Sequence, residues 1–320
     1  MKRELSKNRI GWLVLLGVLF APQSAQPSLF TDESKQKIQD QQLSTLCNDL
    51  RLEFKRLSWK IEPCEGIQWK VGGTSVENRP LIYTEFGNPD AANTTLIFTM
   101  VHSDEIPSLY LGIQLAHWLK EHEGTLKDLR VVIAPMVNPD GFFKRPRTRT
   151  NARGVDLNRN FSTSDWEKKA LVNWKNQYRS HPRRYPGPKP NSEPETLFQQ
   201  EIIERKKPQK ILSVHSPLNF IDYDGPTVLS LARFPREYVR ECLKLRRQLK
   251  ATSGRFYPGS LGNYAGQERG IPTMTLELPS SNAIYARAYW ERFRTGIRTM
   301  IEFRVPELAT TTPSPSVGGR

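Results

Sequence analysis

Thr95-Leu-Ile-Phe-Thr-Met-Val101 is a continuous apolar run, and it passes directly into the polar tetrad His102-Ser-Asp-Glu105. A run without polar alternation is typical of a strand that is buried on both faces of a sheet. Pro107 follows at a position suited to the first turn of a helix, and apolar residues continue to Leu115. The stretch therefore predicts a buried strand, a polar loop at its carboxyl end and a helix immediately afterwards.

Strand and helix signals continue to alternate along the chain. Further strand-like runs cover residues 129–136, 210–214 and 273–278, and an earlier hairpin joins residues 67–71 to 80–86. Helical patterns cover residues 192–205, which open with a capping box, and residues 235–251 and 282–303. This order predicts an α/β fold with a mixed, mainly parallel central sheet flanked by helices.

Polar residues that bind metals follow three of the predicted strands. His102 and Glu105 follow the first, while His215 and Glu277 lie at or near the ends of two others. Sites in open sheets of this kind gather beyond the carboxyl ends of the strands, so these residues are expected to meet. A catalytic zinc needs three nitrogen or oxygen ligands, one open position and a nearby carboxylate base. On its own, the His-x-x-Glu pair is more readily explained as a solvated polar turn.

Three long motifs are far more specific than any pair of possible metal ligands. They are Asn151-Ala-Arg-Gly-Val-Asp-Leu-Asn-Arg-Asn-Phe161, Tyr185-Pro-Gly-Pro-Lys-Pro-Asn-Ser-Glu-Pro-Glu-Thr196 and His215-Ser-Pro-Leu-Asn-Phe-Ile-Asp-Tyr-Asp-Gly-Pro226. In order and content they resemble the zinc carboxypeptidase family, and within it the bacterial murein peptide amidases. The resemblance extends from about Trp69 to about Phe303 and so includes most of the chain.

The resemblance implies a single zinc ion bound by His102, Glu105 and His215. It implies that Glu277 is the general base, which takes a proton from the attacking water and returns it to the leaving amine. Asp156 corresponds to the carboxylate that orients the first histidine ligand and raises its basicity.

The same resemblance assigns three residues to the substrate. Arg149 matches the arginine that stabilises the oxyanion as the carbonyl becomes tetrahedral. Asn158 and Arg159 resemble the pair that binds the free carboxylate of the substrate, a task for which a planar guanidinium is well suited.

Two of these assignments leave alternatives open. The family often places a tyrosine on a loop before the strand that bears the glutamate, and Tyr257 is the nearest candidate, although its offset is imperfect. Arg145 and Arg147 flank Arg149, and a slip among the three is invisible in the sequence. A basic, solvent-facing loop is the plain interpretation of the two flanking arginines.

The function that the resemblance implies is hydrolysis of the amide bond between γ-D-glutamate and meso-diaminopimelate in murein peptides. Asp222 and Asp224 follow His215 closely, and one of them is expected to bind the remote ammonium of diaminopimelate. The alternatives are a carboxypeptidase for ordinary peptides, a deacylase of the same fold and a catalytically inactive wall-binding relative. Because the ligands, the base and Arg149 are all present, the inactive relative is the weakest of these.

Composition limits the classes of partner that the chain is expected to bind. The 320 residues are 37% hydrophobic, which suits a packed core, and the net charge of +14 favours an acidic partner. No nucleic-acid-binding motif accompanies the basic residues, so murein or another anionic surface is the expected partner, and a merely solvated basic surface is the alternative.

The ends of the chain carry signals of a different kind. Residues 1–26 combine basic residues, a short apolar run and small residues, as in a secretory signal peptide, so no stable membrane span is expected after processing. The predicted order then continues with a helical extension over 27–65, a catalytic domain over 66–305 and a disordered tail over 306–320. Export to the periplasm would permit a disulfide between Cys47 and Cys64, leaving Cys242 unpaired; three buried thiols are the alternative.

Overall fold

The computed structural model describes residues 32–225 and 257–305. Its strands are β1 Lys70–Thr74, β2 Pro80–Gly87, β3 Asn93–Thr99, β4 Leu129–Ala134, β5 Lys210–His215, β6 Phe220–Asp224 and β7 Thr273–Glu277. Its α-helices are α1 Asp32–Arg56, α2 Pro107–Glu121, α3 Pro139–Phe143, α4 Trp166–Asn176, α5 Pro194–Lys206 and α6 Ala286–Glu302, and a π-helix covers Gly262–Gln267.

The strands form one sheet in the order β1-β2-β4-β3-β5-β7-β6. Its four neighbouring strands β4, β3, β5 and β7 are mutually parallel, whereas β1, β2 and β6 pair in the antiparallel sense. The predicted mixed α/β sheet is thus confirmed, with its parallel part in the centre. Because β3, β5 and β7 run the same way, their carboxyl ends meet at one edge.

The sheet is buried because helices cover both of its faces. Every residue of β3 and of β5 is buried, as the uninterrupted apolar run of β3 predicts. Successive side chains of β3 alternate between the faces: Ile97 packs in the core beneath α2 and α6, and Leu96 and Phe98 pack in the core beside α5 and the π-helix. Full burial of one such side chain contributes about 1.5 to 3 kcal/mol.

Helix α1 lies on the first of these cores and is fixed there by a disulfide and by a buried carboxylate. Cys47 and Cys64 are joined, with Cα atoms 5.8 Å apart. Glu53 is buried and accepts hydrogen bonds from Arg145 and, at 2.6 Å, from Arg147. These two arginines therefore hold α1 against the loop before Arg149.

The structure also refines several predicted bounds. Helix α5 begins at Pro194, two residues after the predicted start, and α6 begins at Ala286 after a short 3-10 turn. Strand β6 and helix α4 were not predicted. The signal peptide, Cys242, the helix predicted over 235–251 and the tail over 306–320 lie outside the described residues. Within residues 32–225 and 257–305, no helix combines the length and the apolar character of a membrane span.

A buried lysine at the start of β5 gives a test of the fold. Lys210 is fully buried, and its ammonium donates to the side-chain oxygen of Asn93. Burial lowers the pKa of Lys210 to about 7, from an ordinary value of 10.5. Above about pH 7 the unfolded chain therefore holds more protons than the folded protein, and the free energy of unfolding should increase as the pH rises toward the unfolded value.

We expect this increase to approach about 1.4 kcal/mol per pH unit between about pH 7 and pH 9 and to vanish in Lys210→Met. Urea unfolding at several pH values measures it. Lys168→Met, at an exposed position of α4, is the matched control and should keep the slope. Equal slopes for the wild type and Lys210→Met would contradict the assignment.

Candidate metal and catalytic site

Three predicted ligands converge at the carboxyl edge of the sheet. The Nδ1 atom of His102 lies 2.8 Å from Oε1 of Glu105, and the Nδ1 atom of His215 lies 2.9 Å from Oε2 of the same glutamate. The two Nδ1 atoms are 3.1 Å apart. All three side chains are buried, and their donor atoms lie within 4.8 Å of one another. Two imidazole nitrogens and one carboxylate are a donor set that suits a catalytic zinc.

The outer ring nitrogens of both histidines also have partners. Nε2 of His102 lies 3.0 Å from Oδ1 of Asp156, and Nε2 of His215 lies 2.9 Å from the hydroxyl of Ser213. A proton held on Nε2 leaves the Nδ1 lone pair available, which is the form of imidazole that binds metal. The donor set and its outer partners therefore fit a metal ion at the shared position.

The carboxylates around this position are held in the ionised form. Burial alone would raise the pKa of Glu105, but the imidazoles of His102 and His215 hold that pKa below its usual range. Burial opposes ionisation of Asp156 too, yet the charges of Arg149 and His102 hold its pKa well below the ordinary value. Metal ligands must be deprotonated, so the lowered pKa of Glu105 suits a ligand, and an ionised Asp156 suits the acceptor that orients His102.

Glu277 lies beside this group without belonging to it. It is opposite His215 in the β5–β7 register, and its Oε2 accepts from the amide of Leu218 at 3.3 Å. Burial raises the pKa of Glu277 above the usual carboxyl value. A carboxylate with a raised pKa is well matched to accepting a proton from water and returning it.

Two arginines approach the same edge from the loop after α3. The Nε of Arg149 donates to Oδ2 of Asp156 at 3.0 Å, and its Nη1 contacts Glu105 at 3.2 Å. Arg159 lies with its guanidinium 4.3 Å from the ring centre of Tyr257, and its buried Nε has no hydrogen-bond partner within the described ranges. The side-chain oxygen of Asn158 accepts from the amide of Leu261 at 2.8 Å.

All but one of the predicted residues line a single cavity of about 660 Å³. They are His102, Glu105, Arg149, Asn158, Arg159, His215, Asp222, Asp224, Tyr257 and Glu277. Asp156 is the exception, because it lies behind the cavity wall with its oxygens bound to His102 and Arg149. The arrangement combines a metal-binding triad, a separate carboxylate and several guanidinium groups, which is sufficient for metal-assisted hydrolysis of an amide beside an anionic group.

A family model described as zinc carboxypeptidase matches residues 67–290, which include all of these residues. The chain belongs to the zinc carboxypeptidase family. The resemblance inferred from the motifs is thereby confirmed, and the chain is an enzyme of the zinc metallopeptidase class.

The chain is also similar in sequence to individual members of this family. The chain is 31% identical to murein peptide amidase A from Escherichia coli over 210 residues, which cover 65% of this chain and 79% of the relative. It is also 31% identical to murein peptide amidase A from Vibrio campbellii over 218 residues, covering 66% and 79%.

Solved structures support the fold. A murein-tripeptide amidase from Escherichia coli matches with a TM-score of 0.53 at 24% identity and covers 75% of this chain and 93% of that one. The bovine thrombin-activatable fibrinolysis inhibitor, in complex with a tick carboxypeptidase inhibitor, matches with a TM-score of 0.58 at 20% identity, covering 81% and 95%.

Sequence reasoning missed several residues of this zinc carboxypeptidase site. Ser213 could have been found, because residues two apart in a strand share a face and Ser213 precedes His215 by two. Asp104 stands inside the first motif and is paired with Arg183 at 2.5 Å. Arg184 had no such signal, since its basic loop is not distinguishable in sequence from a solvated one.

Ser213 provides a test of the metal site in which all three proposed ligands are left in place. Ser213→Ala removes the partner of Nε2 on His215, and we expect zinc affinity to fall roughly 10- to 100-fold. Competition against a zinc-binding dye measures the change. Thr95→Val removes a buried hydroxyl elsewhere in the same sheet and is the control. Equal zinc affinities for the two variants would contradict the role of Ser213.

Proposed function

We propose that this enzyme is an exported, zinc-dependent amidase that hydrolyses the bond between γ-D-glutamate and meso-diaminopimelate in murein peptides. The observation that carries the proposal is the single cavity in which the His102, Glu105 and His215 triad meets Glu277, four arginines and three aspartates. The sequence similarity to murein peptide amidases supports the choice of substrate.

In this proposal one zinc ion is bound by the triad, and Asp156 and Ser213 orient the two imidazoles. When bound, the ion supplies a water of lowered pKa and polarises the scissile carbonyl. The residues of the chain do the rest. The half-buried carboxylate of Glu277 removes a proton from the attacking water and later delivers it to the leaving amine.

Arg149 is assigned to the developing oxyanion. Its guanidinium is buried and already oriented by Asp156, so it needs no reorganisation when negative charge appears on the carbonyl oxygen. One fixed donor of this kind typically lowers the barrier by about 3 to 4 kcal/mol.

Arg159 is assigned to the free carboxylate on the amine side of the scissile bond. Its guanidinium lies against the ring of Tyr257, and its Nε lacks a partner in the described part of the chain. Asn158 lines the cavity next to it. A carboxylate that binds the guanidinium would give this Nε a partner, which supports substrate binding rather than a structural role for Arg159.

Asp222 and Asp224 are assigned to the remote ammonium of diaminopimelate. They are two residues apart on the edge strand β6, so both project to the same face, and both line the cavity. The π-helix approaches Asp224 so closely that a Cβ atom at Gly262 would lie 1.9 Å from its carboxylate. A glycine there is required for this acid to stand at the cavity wall.

Export is supported by two features. The first residues have the order of a secretory signal, and the Cys47–Cys64 disulfide is of a kind that persists in oxidising compartments. The excess of basic residues suits an enzyme that works at the anionic wall. The proposed arrangement is therefore a processed signal over 1–26, a helical extension over 27–65, the catalytic domain over 66–305 and a tail over 306–320.

Purified L-alanyl-γ-D-glutamyl-meso-diaminopimelate is the substrate for the decisive test. We expect zinc-dependent release of diaminopimelate, measured by mass spectrometry, and a fall in kcat of about 10²- to 10⁴-fold in Glu277→Gln. Glu201→Gln, at an exposed position of α5, is the matched control. The proposal would be contradicted if the tripeptide stayed intact while ordinary peptides were cleaved from their carboxyl ends. That result would favour a general carboxypeptidase.

The role of the two aspartates is tested by a substrate analogue. Replacing the remote ammonium of diaminopimelate by hydrogen should lower kcat/KM roughly tenfold or more in the wild-type enzyme, because a charged hydrogen bond is lost. Asp222→Asn or Asp224→Asn should remove this preference. Both variants discriminating like the wild type would show that neither acid binds the ammonium.

A further inference from the structure

Arg184 is a cavity residue that the proposed mechanism leaves without a role. It is the last residue of the short 3-10 turn over Pro182–Arg184 and lines the same cavity as the triad. Its guanidinium lies 5.6 Å from the ring centre of Tyr178, which also lines the cavity. Its side chain is 36% exposed, so it is partly sheltered while still open to a ligand.

The charge of Arg184 is poorly neutralised. Its only ion pair in the described part of the chain is a loose one, 3.9 Å from Oδ2 of Asp156. That same oxygen accepts a hydrogen bond from Arg149 at 3.0 Å, and the other oxygen of Asp156 binds His102. Burial and the nearby charges of Arg149 and Arg159 lower the pKa of Arg184. The guanidinium therefore lies in a crowded positive region without an acid of its own.

Arg183, the residue before Arg184, differs from it in how closely its charge is paired. Arg183 also lines the cavity, but its guanidinium forms an ion pair with Asp104 at 2.5 Å. The two residues are adjacent and of the same type, yet one is paired directly and the other is not. A positively charged group that faces a cavity and lacks a close acid is suited to bind an anionic part of a ligand.

A γ-glutamyl amide supplies such a group. Its glutamyl residue is joined through the side-chain carbonyl, so the α-carboxylate stays free on the acyl side of the scissile bond. An ordinary α-linked peptide has no carboxylate at that place. Two carboxylates thus flank the scissile amide, and Arg159 is assigned to the one on the amine side. Arg184 and Arg149 approach the same oxygen of Asp156, at 3.9 and 3.0 Å, so Arg184 lies beside the residue assigned to the carbonyl oxygen between the two carboxylates.

We propose that Arg184 binds the acyl-side α-carboxylate of the γ-D-glutamyl residue and thereby selects γ-glutamyl amides over α-peptides. This assignment rests on the proposed function and names a specificity determinant for it. Tyr178 supports the guanidinium through its ring face, and the weak contact with Asp156 leaves the donors of Arg184 available to the substrate.

The test compares L-alanyl-γ-D-glutamyl-meso-diaminopimelate with the analogue in which the α-carboxylate of the glutamyl residue is a carboxamide. In the wild-type enzyme we expect kcat/KM to be roughly 10- to 100-fold lower for the carboxamide, mainly through KM, because the carboxylate is remote from the reacting atoms. Arg184→Gln should bring the ratio of the two substrates close to one, and Arg184→Lys should restore part of it.

Arg183→Gln removes the same charge from the same cavity and is the matched control, which should retain the wild-type ratio. Calorimetric binding of both peptides in a Glu277→Gln background gives a second readout that does not require turnover. Equal rates on both peptides in the wild type, or an unchanged ratio in Arg184→Gln, would overturn the assignment while leaving the proposed function intact. Hydrolysis of neither peptide would overturn both.

Discussion

The buried carboxylate of Asp156 is the contact on which the rest of the site depends. One oxygen binds Nε2 of His102 at 3.0 Å, and the other binds Nε of Arg149 at 3.0 Å. It thereby fixes the orientation of a proposed metal ligand and of the proposed oxyanion donor at the same time. An ionised carboxylate in a buried position is costly unless it is fully paired, so these partners and the carboxylate hold one another in place.

The loop that carries Asp156 is itself held by a second buried polar network. The amide of Asp156 donates to the carbonyl of Tyr185 at 2.8 Å. Asn151, five residues earlier, donates to both Glu193 and Glu195, and Asn160 donates to the carbonyl of Pro186. The long motifs around 151–161 and 185–196 thus hydrogen-bond to each other. Their unusual composition serves to satisfy buried polar groups in a segment that has little regular secondary structure.

The sequence was informative wherever a local rule determined the outcome. The apolar run of β3 and the residues that follow it determined a buried strand with ligands at its carboxyl end, and parallel pairing then brought His215 and Glu277 to the same edge. Strand β6 was not predicted, because Asp222 and Asp224 were interpreted as motif residues rather than as one face of a strand. In the structure its residues alternate between buried and partly exposed positions.

Residues whose role depends on distant contacts could not be found in this way. Arg145 and Arg147 resemble Arg149 in sequence, and only their contacts with Glu53 on α1 separate them from it. Arg184 differs from Arg183 only in what lies across the cavity, since an acid from the metal loop pairs with one and not the other. Gathering Arg149, Arg159 and Arg184 around one cavity costs free energy through mutual repulsion, and the contacts of Arg149 with Asp156 and Glu105 offset part of it. Under the proposed function, the carboxylates of the substrate bring further negative charge to these guanidinium groups.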